Sequence, residues 1–225
     1  MRIRWFGQSA FLLSGTARVA IDPFGDVESR ARERGLRFAY PRIEGVDADL
    51  LLITHEHFDH NGADAIGGDP HTLRSTAGTF PDTPVAEVRA IASEHDDVAD
   101  TKGGPNTIFA FALDGLRLCH FGDFGQSALR PEQREAIGDV DVLMLPVGGG
   151  GPTIGAEAAA AVVHELAPRL VIPMHYRTDA VDFLEPPDAF LAAVAADVRR
   201  LDGPEAEVEA LLDGGPVVAL LAPPT

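Results

Sequence analysis

Short apolar runs alternate with polar breaks along most of the chain, and their spacing defines the expected elements. Residues 2–6, 10–14 and 17–21 read as successive strands, the last closing at Asp22-Pro23, where proline ends a ladder. Further strand-like runs fall at 50–53, 71–74, 85–92, 107–113, 116–121, 140–145, 169–173 and 216–221. Helical patterns lie between them at about 61–67, 131–137, 154–166, 187–200 and 205–212. Residues 25–45 carry charges, glycines and a proline with weak periodicity, and read as a long surface connection, either a lid or a solvated excursion. Hairpins dominate the first half and strand–helix alternation the second, which predicts a mixed α/β architecture in a single domain over residues 1–225.

Composition narrows the functional classes. The chain has 225 residues, 45% of them hydrophobic and 24% charged, enough to bury a sizeable core. Its net charge of -17 repels polyanions, and no basic run offsets it, so nucleic acid is not an expected partner. Cys119 is the only cysteine, which excludes an internal disulfide and a cysteine-built zinc site. No apolar run reaches the length of a membrane span, and the stretch after Arg2 and Arg4 is broken by Gly7, Gln8 and Ser9, unlike a secretory signal. A cytoplasmic protein is the expectation.

The chemistry concentrates in THEHFDHNGAD, residues 54–64, directly after the apolar run Leu50–Ile53. Residues two apart in extended chain share a face, so His55 and His57 can address one ion. Asp59 and His60 follow after the chain has turned, and face a second point. Four ligands this close in sequence wrap poorly around one tetrahedral ion but readily supply half the ligands of two. A loop of merely hydrogen-bonded histidines would have to gather three imidazoles and a carboxylate at a strand end without purpose. The zincin pattern is excluded, because Asp59 stands where its second histidine is required.

THEHFDH resembles the His-x-His-x-Asp-His signature of the metallo-β-lactamase fold superfamily, and the resemblance runs over nearly the whole chain. It implies a four-layer αβ/βα sandwich of two mixed β-sheets with outer helices, and three further ligands downstream. In order these match His95 in VRAIASEHDD, Asp123 in LRLCHFGDFG and His175 in LVIPMHYRT. The implied arrangement is His55, His57 and His95 on one ion, Asp59, His60 and His175 on the other, and Asp123 between them. His71, after Asp69-Pro70, reads as a surface turn residue, His164 as part of a helix, and His120 as a neighbour of the ligands. Mixed imidazole and carboxylate ligation suits two Zn²⁺ ions, and also accommodates Mn²⁺ or Fe²⁺.

Within the superfamily the chain looks most like a small cytoplasmic branch related to ascorbate-6-phosphate lactonase, through WFGQSAFLLS, IDPFG, GGPNTIFAFALDGLRLCHFGD, DVLMLPVGGG and VIPMHYRT. Members of that branch often carry histidine where this chain has Gln8. The resemblance implies a hydroxide shared by two ions, oriented by Asp59, attacking an ester, lactone or phosphodiester of a small molecule. The chain lacks room for the inserted domain of the superfamily's nucleases, and His57 stands where its oxygen-reducing branch carries glutamate. Asn106, Tyr176 and Arg177 are candidate substrate contacts, with turn and ion-pair roles as the competing readings. The glycines at 148–151 lack a P-loop ending and read as a passage close to the metal site. A metal-binding sensor or assembly module without catalysis is the rival function, and loops such as 25–45 offer a surface for homo-oligomer formation.

Overall fold

The strands expected at the start of the chain pair as an antiparallel meander in the computed structural model, which describes residues 1–96, 103–149, 151, 153–213 and 216–225. β1 (Arg2–Gly7), β2 (Ala10–Ser14) and β3 (Arg18–Ile21) set Trp5 opposite Phe11 and Phe11 opposite Ile21. Then come α1 (Glu28–Glu33), β4 (Val46–Asp47), β5 (Leu50–Ile53), a 3-10 turn at Ala63–Ala65, β6 (Ile66–Gly67) and β7 (His71–Arg74). β5 and β7 extend the first sheet in parallel, while β4 and β6 form a separate ribbon.

A second antiparallel meander follows, with β8 (Gly78–Thr83), β9 (Ala86–Glu94), β10 (Pro105–Leu113) and β11 (Leu116–His120). The chain next alternates helix and strand through α2 (Pro131–Ile137), β12 (Val142–Pro146), α3 (Ala156–Leu166), β13 (Leu170–Met174), α4 (Asp188–Ala193) and β14 (Asp197–Arg200). It closes with β15 (Glu205–Glu207), α5 (Val208–Leu211) and β16 (Val217–Leu220). The second sheet has the order β14-β16-β13-β12-β11-β10-β9-β8, and β15 returns to the first, whose order is β15-β1-β2-β3-β5-β7.

Strand periodicity divides the side chains between two cores. Val19, Ile21, Leu50 and Leu52 point toward the second sheet and pack with Val88, Ile108, Phe109 and Leu118. Their neighbours Ala20, Leu51 and Ile53 point the other way, onto Phe24, Val27, Ala31, Phe38 and Tyr40. All five residues of β12 and all five of β13 are buried, because these parallel strands are covered on both faces. α3 supplies part of that cover through Ala159, Ala160, Val162, Val163 and Leu166, a stripe built on strong helix formers. The result is the two-sheet α/β sandwich implied by the sequence, with a thin outer layer of α1 and irregular chain over the first sheet.

Several expectations change. Residues 25–45 are anchored, not merely solvated: they contain α1, and Val27, Ala31, Phe38, Tyr40 and Ile43 are buried on the outer face of the first sheet. The helix expected at 61–67 is only the 3-10 turn and β6. The helix expected at 187–200 stops at Ala193, a left-handed Ala195 turns the chain, and β14 begins. That expected at 205–212 divides into β15 and α5. β8, β14 and β15 all lie at sheet edges, where polar sequences such as GTFPDT, DVRR and EAE suffice and the apolar alternation fades.

Phe109 is fully buried between the sheets. Phe109→Ala is expected to cost about 3–5 kcal/mol, read as a lower urea midpoint. A change under about 1 kcal/mol would show that the intersheet core collapses around the gap.

Candidate metal centre

Strand ends from both sheets meet at one edge of the sandwich. Asp22 follows β3, His55 and His57 follow β5, His95 follows β9, Asp123 follows β11 and His175 follows β13. Gln8 sits in the turn between β1 and β2. Gln8, Asp22 and His175 all have positive φ, at 52°, 45° and 51°. Such backbone is costly for side-chain-bearing residues and persists where surrounding contacts over-determine it. Here the Gln8 carbonyl accepts hydrogen bonds from the His175 backbone N–H at 3.2 Å and the Trp5 indole at 2.9 Å. Gly148 and Gly125 also permit close approach: a Cβ on Gly148 would lie 2.2 Å from the His175 carbonyl oxygen, and one on Gly125 would collide with that of His95. The glycine run thus does pass close to a candidate ligand; its Gly150 lies outside the described residues.

Asp123 Oδ2 is the focus. His60 Nε2 lies 3.2 Å from it, His175 Nε2 3.4 Å, His55 Nε2 3.7 Å and His95 Nε2 3.8 Å. His57 packs beside this group, its ring centroid 4.6 Å from that of His55 and 4.8 Å from that of His95. Asp59 Oδ2 lies 3.7 Å from His60 Nε2 and accepts a hydrogen bond from the Gln8 amide at 3.0 Å. The structure thus brings together all seven residues singled out as ligands. They fall into two groups with donor atoms within 4.8 Å of one another, His55, His57, His95 and Asp123, and Asp59, His60 and His175.

The hydrogen bonds behind three of the rings fix which nitrogen faces inward. The Thr54 hydroxyl donates to Asp22 Oδ2 at 2.7 Å and so accepts from His55 Nδ1–H at 2.9 Å. His60 Nδ1–H donates to the same Asp22 oxygen at 3.0 Å, and His95 Nδ1–H to the Gly104 carbonyl at 3.0 Å. His55, His60 and His95 therefore turn Nε2 toward the centre, the nitrogen left free for a metal once any proton on it is displaced. A third geometric grouping, Asp22 with His55 and His60, is explained by these bonds: Asp22 lies behind the rings, not among the ligands.

Electrostatics agree with a cation site. Burial holds the His55 imidazole well below its ordinary pKa, with His60 adding repulsion, and burial also lowers His95 and His175 despite the attraction of Asp123. For His60 burial opposes charge, but Asp123 and Asp59 outweigh it and raise its pKa. For Asp123 burial again opposes charge, while His175 and His60 hold the carboxylate far below its usual range. The Nε2 atoms of His55, His60 and His95 and Asp123 Oδ1 are buried without a hydrogen-bond partner. Orphaned donors and acceptors of this kind cost about 1–3 kcal/mol each, and convergent imidazole and carboxylate groups are the set that divalent cations satisfy. The residues present fit a bound metal.

The candidate substrate contacts require correction. Asn106 is 2% exposed, donates to the Ser93 hydroxyl and the Phe121 carbonyl at 2.8 Å each, and accepts from the Asp123 backbone N–H at 3.0 Å. It positions Asp123 and has no donor left for substrate. Tyr176 is 4% exposed, stacks beside Trp5 and aims its hydroxyl at the Leu221 carbonyl. Arg177 is exposed, but its Nε donates to the Leu184 carbonyl and it lies outside the metal cleft. His120 is enclosed, with Nε2 donating to the Ser9 carbonyl and Nδ1 accepting from Gly122 N–H, and is not a ligand. Asp22 and Thr54 are the supports that the sequence analysis missed. The one available signal was a carboxylate at a strand end immediately before proline, in IDPFG.

The cleft at the candidate ligands has a volume of about 460 Å³ and is lined by His57, Phe58, Asp59, Asp123 and His175 together with Arg30, Arg34, Leu36 and Phe183. Glu56, also on its rim, is clamped by Arg74, Ser75 and Asn61, and its carboxyl is pushed down to about 2, chiefly by Arg74.

A two-sheet α/β sandwich with histidines and aspartates gathered on its strand ends defines a class, the metallo-hydrolases of the metallo-β-lactamase fold. The chain belongs to that superfamily, since the family described as the beta-lactamase superfamily domain matches residues 2–175. It falls with the superfamily's metal-dependent hydrolases: a UPF0173 metal-dependent hydrolase of Thermococcus kodakarensis is 33% identical over 242 aligned residues, covering 95% of this chain and 97% of the relative. A Thermotoga maritima crystal structure, described as a candidate Zn-dependent hydrolase of the superfamily, superposes with a TM-score of 0.76 at 29% identity and covers 98% of each chain. An isothiocyanate hydrolase from Delia radicum gut bacteria shares the fold, with a TM-score of 0.64 at 14% identity over 97% of this chain and 95% of that one.

Asp22→Asn keeps the size of the side chain and tolerates the positive φ, but turns an N–H₂ or a weaker acceptor toward Thr54 and His60. Metal affinity, measured by competition with a chelator, is expected to fall about 10–100-fold with the fold retained. Unchanged affinity would mean that packing alone orients the two rings.

Proposed function

We propose that this chain is a dinuclear hydrolase acting in the cytoplasm on an ester, lactone or phosphodiester bond of a small molecule. One observation carries the reading: the Nε2 atoms of His55, His60, His95 and His175 all lie within 3.8 Å of one buried carboxylate oxygen of Asp123, beside an open cleft. His55, His57 and His95 would hold one divalent ion, Asp59, His60 and His175 the other, and Asp123 would serve both. Zn²⁺ suits this donor set, and the name of the Thermotoga maritima neighbour supports it.

Two such ions supply an activated water and a Lewis acid for a carbonyl or phosphoryl oxygen. The chain's own residues do the rest. Asp59, half-buried at the cleft and steadied by Gln8, is placed to orient the attacking water. Asn106 fixes the Asp123 backbone, and Asp22 holds two rings, so the donors are preorganised before substrate arrives. Phe58, Leu36 and Phe183 give the cleft apolar walls that exclude water around a small ligand. No serine or cysteine nucleophile is required; Cys119 is a buried free thiol whose pKa burial raises. Among the described residues no helix is long and apolar enough to cross a membrane.

Elemental mass spectrometry on protein purified without added metal or chelator is expected to find close to two ions per chain, with loss in Asp123→Ala and His175→Ala. Chelation should abolish turnover of activated esters, lactones or phosphodiesters, and re-addition of the metal found should restore it. Full metal occupancy without turnover of any of these would favour a sensor or assembly role. No stoichiometric metal after reconstitution would remove the hydrolase reading.

A further inference from the structure

The lining of the cleft includes two arginines that the proposed hydrolysis does not use. Arg30 lies in α1 and Arg34 caps its end, so the two stand one helical turn apart on the same face. Both are exposed and both line the metal cleft. Each guanidinium is held over the ring of Phe58, at 5.8 Å and 5.2 Å from its centroid. Phe58 lies in sequence between His57 and Asp59. The arginines are thereby packed against the loop that carries His57 and Asp59.

Charge pairing sharpens the point. The chain has 35 acidic residues against 18 basic ones, and α1 itself shows how a spare carboxylate is used, with Arg32 paired to Glu28. Among the described residues neither Arg30 nor Arg34 forms an ion pair. The carboxylates lining the same cleft are otherwise engaged: Glu56 with Arg74, Asp59 with Gln8, and Asp123 with the histidines. Two like charges one turn apart repel, and a planar guanidinium pair recognises oxygen anions.

We propose that Arg30 and Arg34 form an anion-binding subsite, and that the substrate is a small ester or lactone carrying a carboxylate or phosphate group held there while its scissile bond lies over the ligands. The proposal rests on the hydrolase reading of the same cleft and adds the substrate class to it. Leu36, Phe58 and Phe183 then enclose the apolar body between the two ends.

The test compares two esters of equal acyl length and the same leaving group, 4-nitrophenyl hemisuccinate and 4-nitrophenyl butyrate, on metal-loaded wild type and on R30Q/R34Q. Glutamine keeps part of each stem against Phe58, and both positions are exposed, so the fold should survive, as circular dichroism would verify. Wild type should favour the anionic ester, and the ratio of kcat/KM, anionic over neutral, should fall at least about ten-fold in the variant, mainly through KM. No preference in wild type, or one that survives in the variant, overturns the subsite. If neither ester is turned over, the hydrolase reading fails for these substrates and the subsite is judged by calorimetric titration of succinate and of inorganic phosphate into the same metal-loaded proteins. Binding weakened at least about ten-fold in R30Q/R34Q supports it, and the anion bound more tightly identifies the group. No binding, or equal binding by both proteins, overturns it.

Discussion

A carboxylate enclosed by protein and faced by four imidazoles governs this structure. Burying Asp123 ionised is expensive, and the enclosed rings can bear only limited protonation to balance it. The molecule resolves this by spreading support outward. Asp22 and Thr54 lie behind two rings, Gly104 behind a third, and Asn106 behind the Asp123 backbone. The strand ends are the only places in the sandwich where so many groups can converge without interrupting a ladder, and the positive-φ turns at Gln8, Asp22 and His175 are the local cost of doing so.

The clustered histidines and aspartates that could hold a metal were legible in the sequence because they share a context. Each follows an apolar strand or sits in the dense run 55–60, and strands of the inner layers carry a strong hydrophobic signal. Their supports were not legible, since a hydrogen bond from Asp22 to His60 joins residues 38 apart in sequence and leaves no periodic trace. Asn106 was found but given the wrong partner, as an amide in a turn-like stretch looks the same whether it faces a ligand or a backbone. The same contrast holds for the fold. Central strands announced themselves, whereas β8, β14 and β15, which need only half a ladder and one covered face, did not. α1 was hidden by its shortness, with only Val27 and Ala31 turned inward near its start.

Charge is distributed to serve different ends at different distances. Over the whole surface, the net charge of -17 gives a field that is on average repulsive to anions. Within the cleft the local balance includes the two arginines of its lining and any cation the His and Asp cluster binds, so the overall field does not set the sign there. Glu56 illustrates the finer scale: its ties to Arg74, Ser75 and Asn61 anchor the ligand loop while leaving His57 at the open side.

β15 has the widest reach of any edge strand. Its pairing with β1 brings Arg2 to Glu207, a sequence separation of 205, and Trp5 N–H to the Pro204 carbonyl. During synthesis β1 emerges about 200 residues before its covering strand, so the outer edge of the first sheet stays unpaired while the chain between them is made. Arg2 and Arg4, alternating along that edge, are charges that discourage a second chain from docking there in the interval, and once β15 arrives they become its salt-bridge partners through Glu207 and Glu205. The same two side chains thus guard an unfinished molecule and fasten the finished one.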